Sequence, residues 1–450
     1  MRVEVFEAQA EPGGAVRTLP LTLPGFLHDF GSAVHPLAAG SPFFNTLPLS
    51  ERGLEWIHGE SPVAHPLDDG TAVLLERDFA QTERELGPDG KKWRVLMTPG
   101  AEHWPEFSRD VLAPPTRVPH HPLRMAALGT VAFQPARMLA NSHFAGVRAR
   151  ALFAGLAGHS FLSFDQPISS GVPLILGAAA HAVGWPIPRG GARAITHALI
   201  SHLESLGGVV HTSHRIAADE FRNLMSDGAL MMCDVTPRQL LALAGNLLTI
   251  GHRLSLAQYR YGPGVFKVDY ALSQPVPWRA EACRGSITVH LGGTFEEIAA
   301  AESEVTHGRI PERPFILTAQ SSLFDPARAP HGKHVLWAYC HVPNGSTLDM
   351  TERIEAQIER FAPGFRDCIL ARSTSSPAQL ETMDANLIGG DIQGGELNLR
   401  QFFFRPTVRD YGTSNPNIFL CSSSTPPGGG VHGMCGYHAA QLALRRVARQ

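Results

Sequence analysis

The chain has 450 residues, 44% of them hydrophobic, and balances 38 Lys plus Arg against 41 Asp plus Glu for a formal net charge of −3. A chain of this size buries a large core and accommodates two domains, and a near-neutral balance with no dense basic run excludes a nucleic-acid-binding surface. Its six cysteines are scattered, with no Cys-x-x-Cys and no His/Cys set at zinc spacing, which excludes a zinc site and a disulfide framework and fits a reducing cytoplasm.

The first stretch, MRVEVFEAQAEPGGAVRTLP, reads as a strand through Val3, Val5 and Phe6, with Glu7 at its end and a turn at Gly13 and Gly14. An acidic residue at the end of a strand is the ribose ligand of a dinucleotide-binding βαβ unit when a Gly-rich phosphate loop lies ~20 residues earlier. No such loop stands before Glu7. The pair His120 and His121 sits in a proline-bounded loop without a carboxylate or third histidine at ligand spacing, so no metal site is expected there. Gly171 to Trp185 is the most apolar run; holding Pro173 and His181, it is too short to cross a bilayer and reads as a core helix. A greasy substrate channel, or a patch contacting a membrane surface, is the sharper reading of the same run.

From Pro186 to Ile216 a glycine turn (Gly190, Gly191) leads into a helix with an apolar stripe at Ile195, Leu199, Leu203 and Leu206. Gly207 and Gly208 stop it, and a strand starts at Val209. Ala229 to Pro237 is a second strand, ending in Asp234 and Thr236, at the edge where open α/β sheets bind ligands. Asp234 is a candidate acid, with turn capping as its plainer role. From about His252 to Pro377 strands such as Val265–Leu272, Ser286–Gly293 and Lys333–Val342 mix with a helix over Thr351–Pro363, the texture of an α+β layer. Tyr259, Tyr261, Phe266 and Tyr270 are candidate walls of a substrate channel there and, equally, the ordinary aromatic content of a sheet. Near the end, Ile418–Cys421 reads as a buried strand, Ser422–Gly430 as a small-residue loop and Tyr437–Ala448 as a helix. A glycine-rich loop before a helix offers free backbone N–H groups and a positive dipole end to an electron-rich ligand. Gly428, Gly430 and Gly433 satisfy G-x-G-x-x-G, but only 17 residues follow, too few for the rest of a βαβ unit.

Three pieces occur in one order: E-A-x-x-x-x-G-G-x-x-R-T at the start, P-x-G-G to L-G-G mid-chain, and P-G-G-G-V-H-G-M-C-G before the last helix. In these the chain resembles the FAD-dependent phytoene desaturase and carotenoid isomerase group of the amine-oxidase-like flavoproteins, most of all the relatives of pyridine nucleotide-disulfide oxidoreductase domain-containing protein 2. The resemblance implies an α/β fold: a Rossmann-like FAD/NAD(P)-binding domain from residues 1–45, 186–250 and 378–450, and an inserted α+β substrate domain from 46–185 and 251–377. It implies FAD as cofactor, Glu7 at the adenosine ribose, Gly13, Gly14 and Arg17 along the pyrophosphate and flavin side, the backbone near Ile216 at the adenine, and Gly430, Val431, His432 and Gly433 at the flavin. His432 is the one candidate catalytic side chain, a base or proton relay, with a structural role as the alternative. Cys435 reads as a packing residue. The implied activity is oxidation, desaturation or isomerisation of a small apolar substrate. The first strand and the G-x-G-x-x-G loop of that family have no counterpart before Glu7, and a start site placed too late or a truncated gene is the expected reason. A non-catalytic scaffold or partner-binding homologue that lost its phosphate loop is the alternative function.

Overall fold

The nine-residue strand Gly264–Leu272 is buried along its whole length and shows how the larger sheet is built. Its alternate residues Phe266, Val268, Tyr270 and Leu272 pack with Ile354, Ile358 and Phe361, one face of the helix Thr351–Phe361. Val265 and Lys267 face the other way, into a cavity. In this computed structural model, which describes residues 2–448, the strand lies in a seven-stranded mixed sheet. Its order is Ile369–Ser375, Gly264–Leu272, His334–Val342, Ile316–Ala319, Ser286–Leu291, Ser61–Pro66 and Ala72–Leu75. Every pairing is antiparallel except that of Ser286–Leu291 with Ser61–Pro66.

Helices Gly90–Ala101, Val147–Gly158 and Gly171–Val183 cover the cavity side of this sheet. Small residues set their approach: a Cβ at Gly158 would stand 2.3 Å from the Phe315 ring. Gly171–Val183 is the expected core helix, and its Val172, Ile175 and Leu176 also wall the cavity. Among the described residues no helix is long and apolar enough to cross a membrane.

Four short strands form the other layer. Glu4–Phe6 runs parallel to Val209–His211, and Ile418–Leu420 runs parallel to Met231–Cys233. The two ladders are not bonded to each other, and residues of both line the cavity. The helix Arg193–Ser205 follows the glycine turn as expected, though only the first part of its stripe is buried. Leu199 and Leu203 look into the cavity, and Leu206 is 73% exposed. Thr236 caps the helix Pro237–Ala244 through a capping box with Gln239. The last helix runs Met434–Val447, three residues ahead of its expected start, because Gly433 adopts φ 68° and serves as its N-cap.

Candidate functional site

One cavity of about 2270 Å³ separates the two layers. Glu7, Gly13, Gly14, Ile216, Gly430, Val431, His432 and Gly433 all line it, which brings together residues that lie more than 400 positions apart. Arg17 does not. It is 5% exposed, its Nε donates to Gly14 O at 2.7 Å and its Nη2 to Met383 O at 2.9 Å, and the guanidinium stacks 5.0 Å from the Phe30 ring. These two bonds fasten the Gly13–Gly14 turn to the segment around Met383.

The surroundings of Glu7 are acidic. Its Oε1 accepts from Gln9 N at 2.7 Å, and Asp234 and Asp384 share this stretch of wall. The protein around Asp234, followed by the charges of Asp384 and Glu7, pushes its carboxyl up to about 6; its open side toward the cavity tempers that burial. Asp384 is also raised, by burial, against the pull of the Asn386 N–H and the Arg17 charge. A ribose hydroxyl suits these acceptors, whereas a diphosphate meets like charge.

At the opposite end, Gly428 and Gly430 adopt φ 108° and 122°, so their backbone lies bare on the cavity. Ser41 Oγ donates to His432 O at 2.7 Å, and the backbone N–H of Met434 donates to His432 Nδ1 at 3.0 Å. His432 thus accepts the first free N–H of the last helix from the position before its N-cap, Gly433. With Nδ1 accepting and burial holding its pKa down at about 4, it is a neutral imidazole protonated on Nε2, which suits capping rather than proton abstraction. Cys435 packs under the loop, its thiol pushed up to about 11 by burial. Arg405, 4% exposed, lies against Gly428 and donates through Nη2 to Gln393 O at 2.6 Å.

The sheet supplies the wall facing this loop. Lys267, 2% exposed, is ion-paired with the wholly buried Asp269, and its ammonium sits 5.9 Å from the Trp337 ring. Burial pulls the lysine down and raises the carboxyl, and each opposes the shift of the other. A Lys–x–Asp pair inside an otherwise apolar strand was the available signal for this site. The expected channel aromatics are not in the wall: Phe266 and Tyr270 sit on the far face of their strand, and Tyr259 pairs with Tyr261 outside the cavity. Trp337, Tyr339, Trp185, Phe402 and Phe403 take that place. Among the described residues no group of three or more His, Cys, Asp or Glu is placed to hold a metal. The His120–His121 loop is instead tied to Asp110, which accepts from both backbone N–H groups.

No family model matches the chain. It is 25% identical to pyridine nucleotide-disulfide oxidoreductase domain-containing protein 2 of Rattus norvegicus, over 98% of this chain and 89% of that protein. It is a relative of that oxidoreductase. A shorter match, 30% identical over 27% of this chain and 26% of the other, is to 4,4'-diapolycopen-4-al dehydrogenase of Metabacillus indicus. Among solved structures, an oxidoreductase from Methanosarcina mazei superposes with TM-score 0.61 at 14% identity, covering 100% of this chain and 94% of that one. A putrescine oxidase variant gives 0.59 at 13% identity, over 99% and 93%. At such identities the structures speak for the fold alone, and that fold is the amine-oxidase-like one of the putrescine oxidase variant.

Proposed function

We propose that this protein is an FAD-dependent oxidoreductase acting on a substrate with an apolar body. Residues 1–45, 186–250 and 378–450 hold the cofactor, and residues 46–185 and 251–377 hold the substrate. The observation that carries the reading is one cavity with two unlike ends, a bare glycine loop capped by a 14-residue helix and an apolar wall holding a single buried Lys–Asp pair. The residues present fit a flavin ring. Gly430 and Gly428 let the backbone approach a planar ligand, and the helix Met434–Val447 presents its positive end to it. A bound flavin supplies the hydride acceptor.

The chain's own groups orient and exclude. Ile175, Leu176, Leu128 and Phe133 form the apolar approach, Lys267 stands paired with Asp269 at the wall, and Glu7 offers its carboxylate to a ribose. Oxidation, desaturation or isomerisation of an apolar compound is the chemistry this layout suits, and the name of the Metabacillus indicus relative points to a polyene. The test is reconstitution: purified protein incubated with FAD, desalted, and scanned for flavin absorbance. Retention of about one flavin per chain is expected, and a colourless protein with no quenching of added FAD fluorescence overturns the proposal.

A further inference from the structure

Beyond Lys267, the sheet side of the cavity carries a cluster of histidines. His159, at the end of the helix Val147–Gly158, lines the cavity and stands with its Nε2 at 3.0 Å from Nε2 of His290 on the strand Ser286–Leu291. Behind His290 lies His65, whose Nε2 is 2.7 Å from Gly293 O. A carbonyl only accepts, so His65 carries its proton on Nε2. The Nδ1 atoms of His65 and His290 are both buried and both without partner, so no proton is shared between them.

These contacts fix the tautomers. A buried N–H left without an acceptor is costlier and rarer than an unused lone pair. His290 therefore keeps its proton on Nε2 and donates it to His159 Nε2, which leaves the proton of His159 on Nδ1. Burial holds His159 neutral, its pKa down at about 3. Tyr339 lines the same wall from the strand His334–Val342, and its phenol is raised above its ordinary value by burial and by Glu302, so it too keeps its proton. Neither the Nδ1 of His159 nor the hydroxyl of Tyr339 is among the buried polar atoms lacking a partner, and neither has a hydrogen-bond partner among the described residues. Both are donors open to the cavity. Gln393 ties the cluster to the cofactor end: its Nε2 donates to His159 O at 3.3 Å and its side chain packs on Gly429.

We infer that His159 and Tyr339 form a two-donor anchor for a carbonyl oxygen, so that the substrate is an apolar molecule bearing a carbonyl group rather than a pure hydrocarbon. His290 is a positioning residue that holds the donor tautomer of His159. The inference rests on the proposed function only in taking this end of the cavity as the substrate end.

Two probes of matched shape test it: 4-phenylbutan-2-one and the hydrocarbon 3-methylbutylbenzene, with dissociation constants read by saturation-transfer NMR on the full chain, with and without FAD. The ketone should bind at least about fivefold more tightly, the yield of one or two neutral hydrogen bonds. Tyr339→Phe and His159→Ala should each remove most of that preference and leave the hydrocarbon within twofold, and His290→Ala should mimic His159→Ala. Equal binding of the two probes by the unaltered protein overturns the inference, without need of any variant. So do variants that weaken both probes alike, and so does displacement of the ketone by FAD, which would mark this end as cofactor space while leaving the flavin proposal standing. Failure of FAD retention with the ketone preference intact overturns the flavin proposal and not the anchor.

Discussion

Replacing Asp29 by Asn should cost about 3–5 kcal/mol of folding stability, because it strands a buried cation. Asp29 and Arg328 are each 1% exposed. One carboxylate oxygen accepts from Thr18 Oγ1 and from Ala192 N, both at 2.8 Å, and the other accepts from Arg328 Nη2 at 2.8 Å. Three segments of the fold meet on this group: the hairpin Thr18–Leu19 with His28–Asp29, the start of the helix Arg193–Ser205, and the turn Pro326–Arg328 beside the sheet. Burial alone would raise the carboxyl, but the Arg328 charge and the donated hydrogen bonds override it and leave its pKa below the ordinary value. With its amide oxygen in the Oδ1 place Asn keeps the Thr18 and Ala192 contacts, but its NH2 then faces the Arg328 donor. Each charge-assisted bond contributes about 1.5–3 kcal/mol, so the lost Arg328 bond together with an unpaired, still buried guanidinium agrees with the range above. Urea unfolding followed by tryptophan fluorescence measures it. Because the folded pKa is depressed, the carboxylate's contribution is present above its unfolded pKa, about 3.9, and is lost as pH falls through the folded value. The Asn penalty should thus be level from pH 5 to 8 and shrink below pH 4. Asp29→Asn with Arg328→Met should recover most of the loss. A penalty under about 1 kcal/mol at pH 7, or a double variant no better than the single, refutes this account.

Two further outcomes concern the cofactor. FAD binding, measured by fluorescence quenching, should weaken several-fold between pH 5 and 7.5, because Asp234, raised to about 6, is protonated at the lower pH and adds a negative charge near the diphosphate at the higher; Asp234→Asn should flatten the profile, and an affinity that improves with pH would contradict the acidic wall. Gly430→Val should abolish FAD retention and destabilise the fold by about 1–3 kcal/mol, since its φ of 122° excludes a branched side chain and its Cβ would stand 3.1 Å from His432 and 3.2 Å from Leu37. Gly207→Ala, with φ 87° and open space around it, is the control: it bears the backbone strain and should leave FAD binding unchanged.

What sequence reading captured here is local, and what it missed is distant or depends on strand parity. The strands at Gly264–Leu272, Ser286–Leu291 and His334–Val342 are largely apolar, β-branched and aromatic runs between turns, which is how buried strands appear. The glycine loop announces itself because positive φ has few other solutions. The fate of Arg17 has no such signal: one of its acceptors, Met383 O, lies 366 positions away. Asp29 and Arg328 are 299 apart, and His159 and His290 are 131 apart. Composition near one member of such a pair carries no trace of the other.

Parity is the subtler cause, and it decides what kind of pocket this is. In the strand Gly264–Leu272 the aromatic residues Phe266 and Tyr270 occupy the positions facing the helix Thr351–Phe361, so the opposite face is left to Val265, Lys267 and Asp269. A one-residue slip would have lined the cavity with rings and buried the Lys–Asp pair against Ile354 and Ile358. That register would be far costlier, since an ion pair in an apolar cluster lacks the neighbouring charges that Asp29 and Arg328 place near it here. The observed register therefore follows from the charged pair as much as from the apolar face, and the polar wall opposite the glycine loop is a consequence of how the sheet must pack.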